Sequence, residues 1–214
     1  MSARDQLLAG SRSYVVLLDG GFVTKRLRHR LGRFPSAEDV MGVCERIDAH
    51  PALLGRERLR IHFYDAPPAD GRLGNPFDGR SLDLATTAVF REARALHDSL
   101  ALMPDVALRM GEVVVRGWRL NPGLLRDLAR HPRALQASDF VPDIEQKGVD
   151  LRMGLDIARL ALGRVVDTIV VVSGDSDLVP AFRFARREGL RVYVDLLGAS
   201  FVRRDFLVHS DRAL

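Results

Sequence analysis

Four aspartates occupy positions from which their carboxylates can converge: Asp19, Asp150, Asp175 and Asp177. The first directly follows the apolar run 14–18, the last two follow the run 168–172, and the second lies in the first turn of a predicted helix. In an open parallel sheet, ligands bind beyond the carboxyl ends of the strands. Acids at two strand ends and one helix start are therefore expected to meet at that edge.

Clustered carboxylates imply a bound cation. Like charges brought together repel, so the cluster is unfavourable unless an ion neutralises it or some members protonate. Ligands that offer only oxygen favour Mg²⁺ or Mn²⁺ over zinc. Such an ion activates water for attack on phosphorus and stabilises the leaving oxygen, so the pattern predicts phosphodiester hydrolysis, with these four aspartates as metal-binding and catalytic residues.

Each aspartate also has a simpler structural explanation. Asp150 and Asp177 suit the caps of helices, and Asp19-Gly20 after a strand suits a turn. Asp175 is harder to explain in this way, because Ser173-Gly-Asp-Ser-Asp177 places two acids at one strand end with no Lys or Arg beside them. It is the shared location of the four that favours a functional site.

Other chemistries find little support in the sequence. His209, Ser210 and Asp211 are adjacent, and adjacent residues cannot face one another as a catalytic triad requires. Neither GxGxxG nor GxxxxGK[ST] occurs, which excludes those nucleotide-binding fingerprints. The six histidines show no metal-ligand spacing.

The elements that must position the aspartates alternate between strand and helix. Apolar runs predict strands at 14–18, 59–64, 168–172 and 191–196, and helical patterns cover 22–31, 82–102, 149–162 and 176–188. The segment 106–118 predicts one or two strands, with a hairpin as one arrangement, and a short helix is predicted before Pro132. This alternation predicts an α/β fold, a three-layer sandwich with a mostly parallel central sheet.

Length and composition predict a single domain over 1–214, with core blocks at 13–66 and 147–197 and a variable insert at 67–146. No apolar run approaches the roughly 18–20 residues that span a bilayer, so no membrane association is expected. The start of the chain lacks the layout of a signal peptide, and Cys44 is the only cysteine. We therefore expect a cytoplasmic protein.

Basic residues recur at helical spacing after two of the aspartates. Lys25, Arg28 and His29 share one face of the predicted helix after Asp19, and three arginines repeat that spacing after Asp177: Arg183, Arg186 and Arg187. Such faces can form the walls of a groove that follows a nucleic-acid strand, although a merely solvated surface has the same pattern. The net charge of +4 does not decide between the two.

Three blocks of the sequence resemble NYN-domain proteins, specifically the LabA-like group of the PIN-like nuclease superfamily. They are Leu17-Leu-Asp-Gly-Gly-Phe22, Lys147-Gly-Val-Asp150 and Val172-Ser-Gly-Asp-Ser-Asp-Leu-Val-Pro180, and Phe63-Tyr-Asp-Ala-Pro-Pro68 is similar as well. The resemblance implies a PIN-like Rossmannoid fold, a divalent metal, and single-stranded RNA as substrate. By position it makes Asp19, Asp150 and Asp175 the metal-site acids, with Asp177 as a fourth, and gives Asp156 and Ser173 supporting roles.

One position departs from the family pattern. Many NYN proteins carry an Asn shortly after the first Asp-Gly, where this chain has Gly21-Phe22. A contact to substrate or water that this Asn makes elsewhere is therefore absent here or is supplied by another residue.

Three functions remain in competition at this point. The first is a metal-dependent ribonuclease, and the second is an RNA-binding or regulatory module that does not cleave. A binder of polyanions gains nothing from clustered negative charge, so four intact acids favour the enzyme. The third, a phosphatase of the haloacid dehalogenase type, wants an Asp two residues after the first one, and position 21 is Gly. The sequence leaves assembly into a homo-oligomer open.

Overall fold

The structure is a computed structural model that describes residues 12–199 and 204–214. Its strands are β1 (Ser13–Asp19), β2 (Glu57–Asp65), β3 (Arg72–Gly74), β4 (Ser81–Asp83), β5 (Val106–Met110), β6 (Glu112–Leu120), β7 (Phe140–Lys147), β8 (Thr168–Val172), β9 (Arg191–Asp195) and β10 (Arg212–Ala213). Its helices are α1 (Gly20–Leu31), α2 (Ala37–Asp48), α3 (Ala88–Leu100), α4 (Leu124–Arg130), α5 (Val149–Gly163), α6 (Val179–Arg187) and α7 (Arg204–Val208).

A six-stranded parallel sheet in the order β10-β9-β8-β1-β2-β5 forms the centre of the fold. Strand β1 lies between β8 and β2 and is buried over most of its length. The apolar run 14–18 is therefore a strand that is covered on both faces, as the sequence predicts. The predicted α/β class with a mostly parallel sheet is confirmed.

Helices cover the two faces of this sheet. Alternate side chains of β1 point into separate cores, Val16 and Leu18 into one, Val15 and Leu17 into the other. Helices α1, α2 and α3 pack against the first face, α5, α6 and α7 pack against the second, and β2, β8 and β9 contribute to both cores. The arrangement is consistent with the expected three-layer sandwich. No helix in the described ranges combines the length and the apolarity needed to cross a bilayer.

The hairpin that 106–118 allows does not form. The segment contains two strands, but β5 joins the central sheet beside β2, whereas β6 pairs with β7 in a separate antiparallel ribbon. The chain changes sheets at Gly111, whose amide donates to the Asp65 carbonyl at 2.7 Å. A Cβ on this glycine would lie 2.5 Å from the Lys147 carbonyl oxygen, so the crossing requires glycine here.

Two predicted helices are shorter than expected. The stretch 82–102 begins with a strand and a 3₁₀ turn, and α3 starts only after Thr87, whose hydroxyl accepts from the Phe90 amide. The stretch 176–188 opens with a 3₁₀ turn at Ser176–Leu178, and α6 follows. The short helix predicted before Pro132 is confirmed as α4.

Asp156 connects helix α5 to the central sheet. Its carboxylate accepts two hydrogen bonds from the Arg109 guanidinium, at 2.7 and 2.5 Å, and one from the Tyr64 hydroxyl at 2.9 Å. Burial pushes the pKa of this carboxyl up, but Arg109 and Tyr64 outweigh it and hold the pKa below its usual value. Asp156 therefore fixes the helix that carries Asp150 against β2 and β5.

Replacing Arg109 by Ala should destabilise the protein by about 3 kcal/mol, because a buried carboxylate loses its partner. The difference should shrink as the pH falls below 3.8, where the charge of Asp156 is progressively removed. Urea unfolding at several pH values measures both effects. The matched control is Arg94→Ala, which breaks an exposed pair with Asp98 and should change stability by about 0.5 kcal/mol or less. Equal effects of the two substitutions would contradict the role assigned to Asp156.

Candidate acidic site

The acidic residues gather where β1 and β8 end. The two strands are parallel neighbours, with Leu18 opposite Val172, so the next residues along each chain, Asp19 and Ser173, lie side by side. The Ser173 hydroxyl donates to the Asp19 carboxylate at 2.7 Å. A residue given a supporting role thus contacts one of the predicted metal-site acids directly.

Asp19 also starts the helix that follows it. Its second carboxylate oxygen accepts from the Phe22 amide at 3.0 Å and so caps α1. The next residue must be glycine, since a Cβ on Gly20 would lie 2.7 Å from the Tyr64 carbonyl oxygen. The Asp-Gly pair therefore turns the chain tightly against β2 and directs the carboxylate toward the sheet edge. The turn that the sequence suggests at Asp19-Gly20 is therefore present. The same carboxylate can also take part in a functional site.

The loop after β8 is organised around Ser173. Its hydroxyl oxygen accepts from the Asp175 amide at 3.1 Å, and the Asp175 carboxylate in turn accepts from the Asp177 amide at 2.9 Å. Gly174 packs against the ring of Phe22, where a Cβ would approach to 2.9 Å. The loop thus packs against the start of α1, and it brings Asp175 close enough to Asp19 for the two charges to interact.

Asp150 reaches the same edge from the other side of the sheet. It lies in the first turn of α5, directly after Gly148, which adopts φ of 74°, in the left-handed region that favours glycine. Burial raises the pKa of Asp150, and the charges of Asp175 and Asp177 raise it further. Asp150, Asp175 and Asp177 therefore act on one another electrostatically although they come from two separate segments.

The same repulsion acts on Asp19. Burial raises the pKa of its carboxyl, the bonds from Phe22 and Ser173 lower it, and the charges of Asp150 and Asp175 raise it again, with a net increase. Ionisation of a buried carboxyl next to other carboxylates is unfavourable, and a bound cation makes it favourable by neutralising the negative charge. The electrostatics therefore match those of a site for a positive ion.

The donor set fits a hydrated hard ion better than a closed protein cage. In the described parts of the chain no three His, Cys, Asp or Glu side chains are grouped closely enough to hold an ion among themselves. Mg²⁺ commonly keeps several waters and binds through one or two carboxylates plus a substrate phosphate. Carboxylates from Asp19, Asp150 and Asp175 meet that requirement in type and charge.

The basic residues lie further from the acids than their position in the sequence suggests. Helices α1 and α6 both lead away from the carboxyl edge of the sheet. Lys25 and Arg183 lie near the middle of these helices, whereas Arg28, Arg186 and Arg187 lie in the last turns, toward the opposite edge.

Two of the basic residues on α6 are engaged by side chains near the C-terminus. Arg186 forms an ion pair with Asp211 at 2.9 Å, and Arg183 hydrogen-bonds His209. Both residues line a depression of about 630 Å³ that Arg187 and Arg191 also border. Lys25 and Arg28 are exposed, as are the three arginines of α6.

Asp65 is a polar residue of this edge that the sequence analysis does not single out. It ends β2, the other neighbour of β1, and is largely buried. One carboxylate oxygen accepts from the Ala66 amide and the Gln146 side chain, and the other hydrogen-bonds His97 Nε2 at 2.9 Å. Because its oxygens are occupied in this way, Asp65 joins β2, α3 and β7 beside the site. The sequence could have indicated Asp65, because it is a third acidic residue at the end of a predicted strand.

Comparison with known proteins identifies the family. A model of the NYN domain matches residues 92–210, more than half of the chain. The chain therefore belongs to the NYN domain family, which is part of the PIN-like nuclease superfamily. The matched range contains Asp150, Asp175 and Asp177, and Asp19 lies before it.

Two individual proteins are similar over part or most of the chain. An uncharacterized protein of Methanocaldococcus jannaschii is 31% identical over 90 residues, or 42% of this chain, and the match spans 36% of the length of that relative. A crystal structure of a protein of unknown function from Vibrio parahaemolyticus aligns with 95% of this chain and 92% of its own, at 14% identity and a TM-score of 0.48.

The mutual repulsion of the acids can be measured directly. Asp150→Asn should lower the pKa of Asp19, because it removes a neighbouring negative charge. Ser173→Ala should raise that pKa, because it removes a hydrogen bond to the ionised form. Carboxyl-carbon NMR titration, with Asp19→Asn to assign the signal, provides the measurement. Asp98→Asn, at an exposed acid on α3, is the control and should leave the pKa of Asp19 in place. No response to Asp150→Asn would show that the acids do not form one cluster.

Proposed function

We propose that this protein is an endoribonuclease that uses Mg²⁺ or Mn²⁺ to hydrolyse phosphodiester bonds of single-stranded RNA. The observation that carries the proposal is the convergence of Asp19, Asp150 and Asp175 at one sheet edge, where burial and the neighbouring charges raise the pKa of Asp19 and of Asp150. Membership of the NYN family supports a nuclease. We further assign the chain to the LabA-like group, on the sequence blocks that carry the four acids.

The acids have distinct parts in this proposal. Asp19, Asp150 and Asp175 would hold a hydrated ion, some of them through its water ligands, and Asp177, exposed beside Asp150, is the fourth member. Bound there, the ion would polarise the phosphate and lower the pKa of an attacking water. Ser173 positions the Asp19 carboxylate and the Asp175 backbone at once, so a single hydroxyl fixes the separation of two ligands. Asp156 supports the site at a distance, through the attachment of α5 to the sheet.

Basic side chains on both helices would hold the RNA backbone. Lys25 and Arg28 are exposed on the helix that Asp19 caps and would contact phosphates of the strand. Arg183, Arg186 and Arg187 would contact a more distant part of the strand, and a phosphate would compete with Asp211 for Arg186. We place the activity in the cytoplasm, since the single cysteine, Cys44, is buried as a free thiol.

An RNA-binding module without cleavage activity is the second candidate. One observation favours it, because both carboxylate oxygens of Asp19 already accept hydrogen bonds, which limits the lone pairs left for an ion. The two candidates differ in what happens to RNA in the presence of metal, and one substitution separates them.

Asp175→Asn should lower the cleavage rate of single-stranded RNA in Mn²⁺ by about 100-fold or more, because it removes a charged metal ligand. RNA affinity in the presence of a chelator should persist or increase, because a repulsive charge has gone. The Asn side-chain oxygen can still accept from the Asp177 amide, so the loop should keep its shape. Gel analysis of a labelled oligonucleotide measures cleavage, and fluorescence anisotropy measures binding.

The control for this experiment is Asp98→Asn, which removes one negative charge from an exposed position on α3. It should leave cleavage unchanged. If the wild-type protein binds RNA and does not cleave it in Mg²⁺ or Mn²⁺, or if Asp175→Asn cleaves at the wild-type rate, the binding module becomes the better account.

A further inference from the structure

An apolar groove adjoins the acidic site between helices α5 and α6. Two of the proposed ligands, Asp150 and Asp177, lie on its border. The other side chains that line it are all apolar: Leu151, Gly154, Leu155, Leu178, Pro180 and Ala181. A surface that combines a carboxylate cluster with an apolar groove offers contacts to a ligand that is charged at one end and apolar at the other.

The two leucines at the groove are largely exposed. Leu151 is 66% and Leu155 61% accessible, although both belong to a helix whose opposite face is packed into the core. Gly154 and Ala181 keep the floor of the groove low, since a Cβ on Gly154 would lie 3.9 Å from the Ala181 side chain. Exposed apolar surface beside a polar site commonly marks a place of contact with a ligand.

The size of the groove limits what it can hold. Its volume is about 260 Å³, which is several times the roughly 30 Å³ share of a water molecule. It is smaller than the roughly 300–1,000 Å³ of pockets for drug-sized ligands. A single flat ring system of nucleobase size fits between these limits.

We propose that this groove receives one unpaired nucleobase of the RNA, attached to the sugar next to the phosphodiester held at the acids. This inference rests on the proposed function. A base enters such a groove only when it is unstacked and unpaired, as in single-stranded RNA. Every base has an apolar face, and the lining offers no side-chain donor, so the groove selects single strands without selecting a sequence.

The charges of the site favour a nucleobase over a protein partner as the occupant. Asp150 and Asp177 at the border would be desolvated, without a partner, by an apolar surface that covered the whole groove. A nucleotide avoids this penalty, because its base covers the apolar part while its phosphate and the accompanying metal lie at the carboxylates. The position of the acids at one end of the groove matches the order of phosphate and base within a nucleotide.

The experiment combines altered RNA with altered protein. Oligonucleotides that carry a fixed cleavage position are made with an abasic ribose at each site in turn. With the wild-type protein, the abasic residue next to the cleaved bond should lower kcat/KM by about tenfold, and more distant ones should have little effect. Gly154→Leu, which fills the groove, should lower kcat/KM on ordinary RNA by a similar factor and should lose the response to the abasic position.

A second variant keeps the test decisive in case Gly154→Leu does not fold. Leu155→Ser removes one wall at an exposed position, and Leu162→Ser is the matched control, because Leu162 is 64% exposed on the same helix outside the groove. Leu155→Ser should reduce both cleavage and the abasic effect, and Leu162→Ser should reduce neither. Equal effects of the two serine substitutions would overturn the inference.

The outcomes separate this inference from the proposed function. If the wild-type protein cleaves no RNA, the proposed function is wrong and the inference falls with it. If it cleaves ordinary and abasic strands equally, the inference alone is wrong. If abasic strands are cleaved normally and Gly154→Leu changes the oligomeric state in light scattering, the groove is a contact between copies of the chain, which also overturns it.

Discussion

The burial of carboxylates that repel one another, Asp19 and Asp150 beside Asp175, is the unfavourable interaction that the rest of this edge must offset. Parallel neighbours such as β1 and β8 end at the same edge of the sheet, so residues far apart in the sequence bring their carboxylates together there. Burial, together with the charges of the neighbouring acids, raises the pKa of Asp19 and of Asp150, so ionisation of these two groups opposes folding. The surrounding fold must supply enough stability to keep the cluster in place.

Several features of the fold resist this repulsion. Strand β1 is clamped between β8 and β2 and contributes alternate side chains to two cores, so its end cannot move away. Ser173 joins the ends of β1 and β8 through the Asp19 carboxylate. The ion pair of Asp156 with Arg109 holds α5 to the sheet, and Asp65 with His97 and Gln146 holds the neighbouring elements. Apart from the bond of Ser173 to Asp19, these contacts lie outside the acid cluster, and all of them restrict the movement of the elements that carry it.

Much of this arrangement is predictable from the sequence, because it depends on local patterns. The apolar run before Asp19 predicts a central strand. The Ser-Gly-Asp-Ser-Asp segment after a second such run predicts a second strand that ends in acidic residues. Contacts between distant segments are not predictable in this way. The pairing of Arg109 with Asp156 spans 47 residues, and nothing local to either residue indicates it. The choice among the arrangements open for 106–118 depends on a distant segment in the same way, because β5 pairs with β2 and not with the strand that follows it. The basic residues show another limit of the sequence. Their spacing indicates which face of the helix they share, but it does not indicate how far each of them lies from the acids.

We propose that the converging carboxylates hold a divalent cation. A crystal structure of the protein soaked in Mn²⁺ near neutral pH, with the ion located by anomalous scattering, tests this most directly. We expect an ion at about 2 Å from an oxygen of Asp19, Asp150 or Asp175, with the remaining carboxylates bound directly or through water. Crystals of Asp175→Asn grown and soaked in the same way should show a weaker peak or none. Mn²⁺ that binds elsewhere on the protein, while this edge stays empty at saturating concentration, would contradict the proposed metal site.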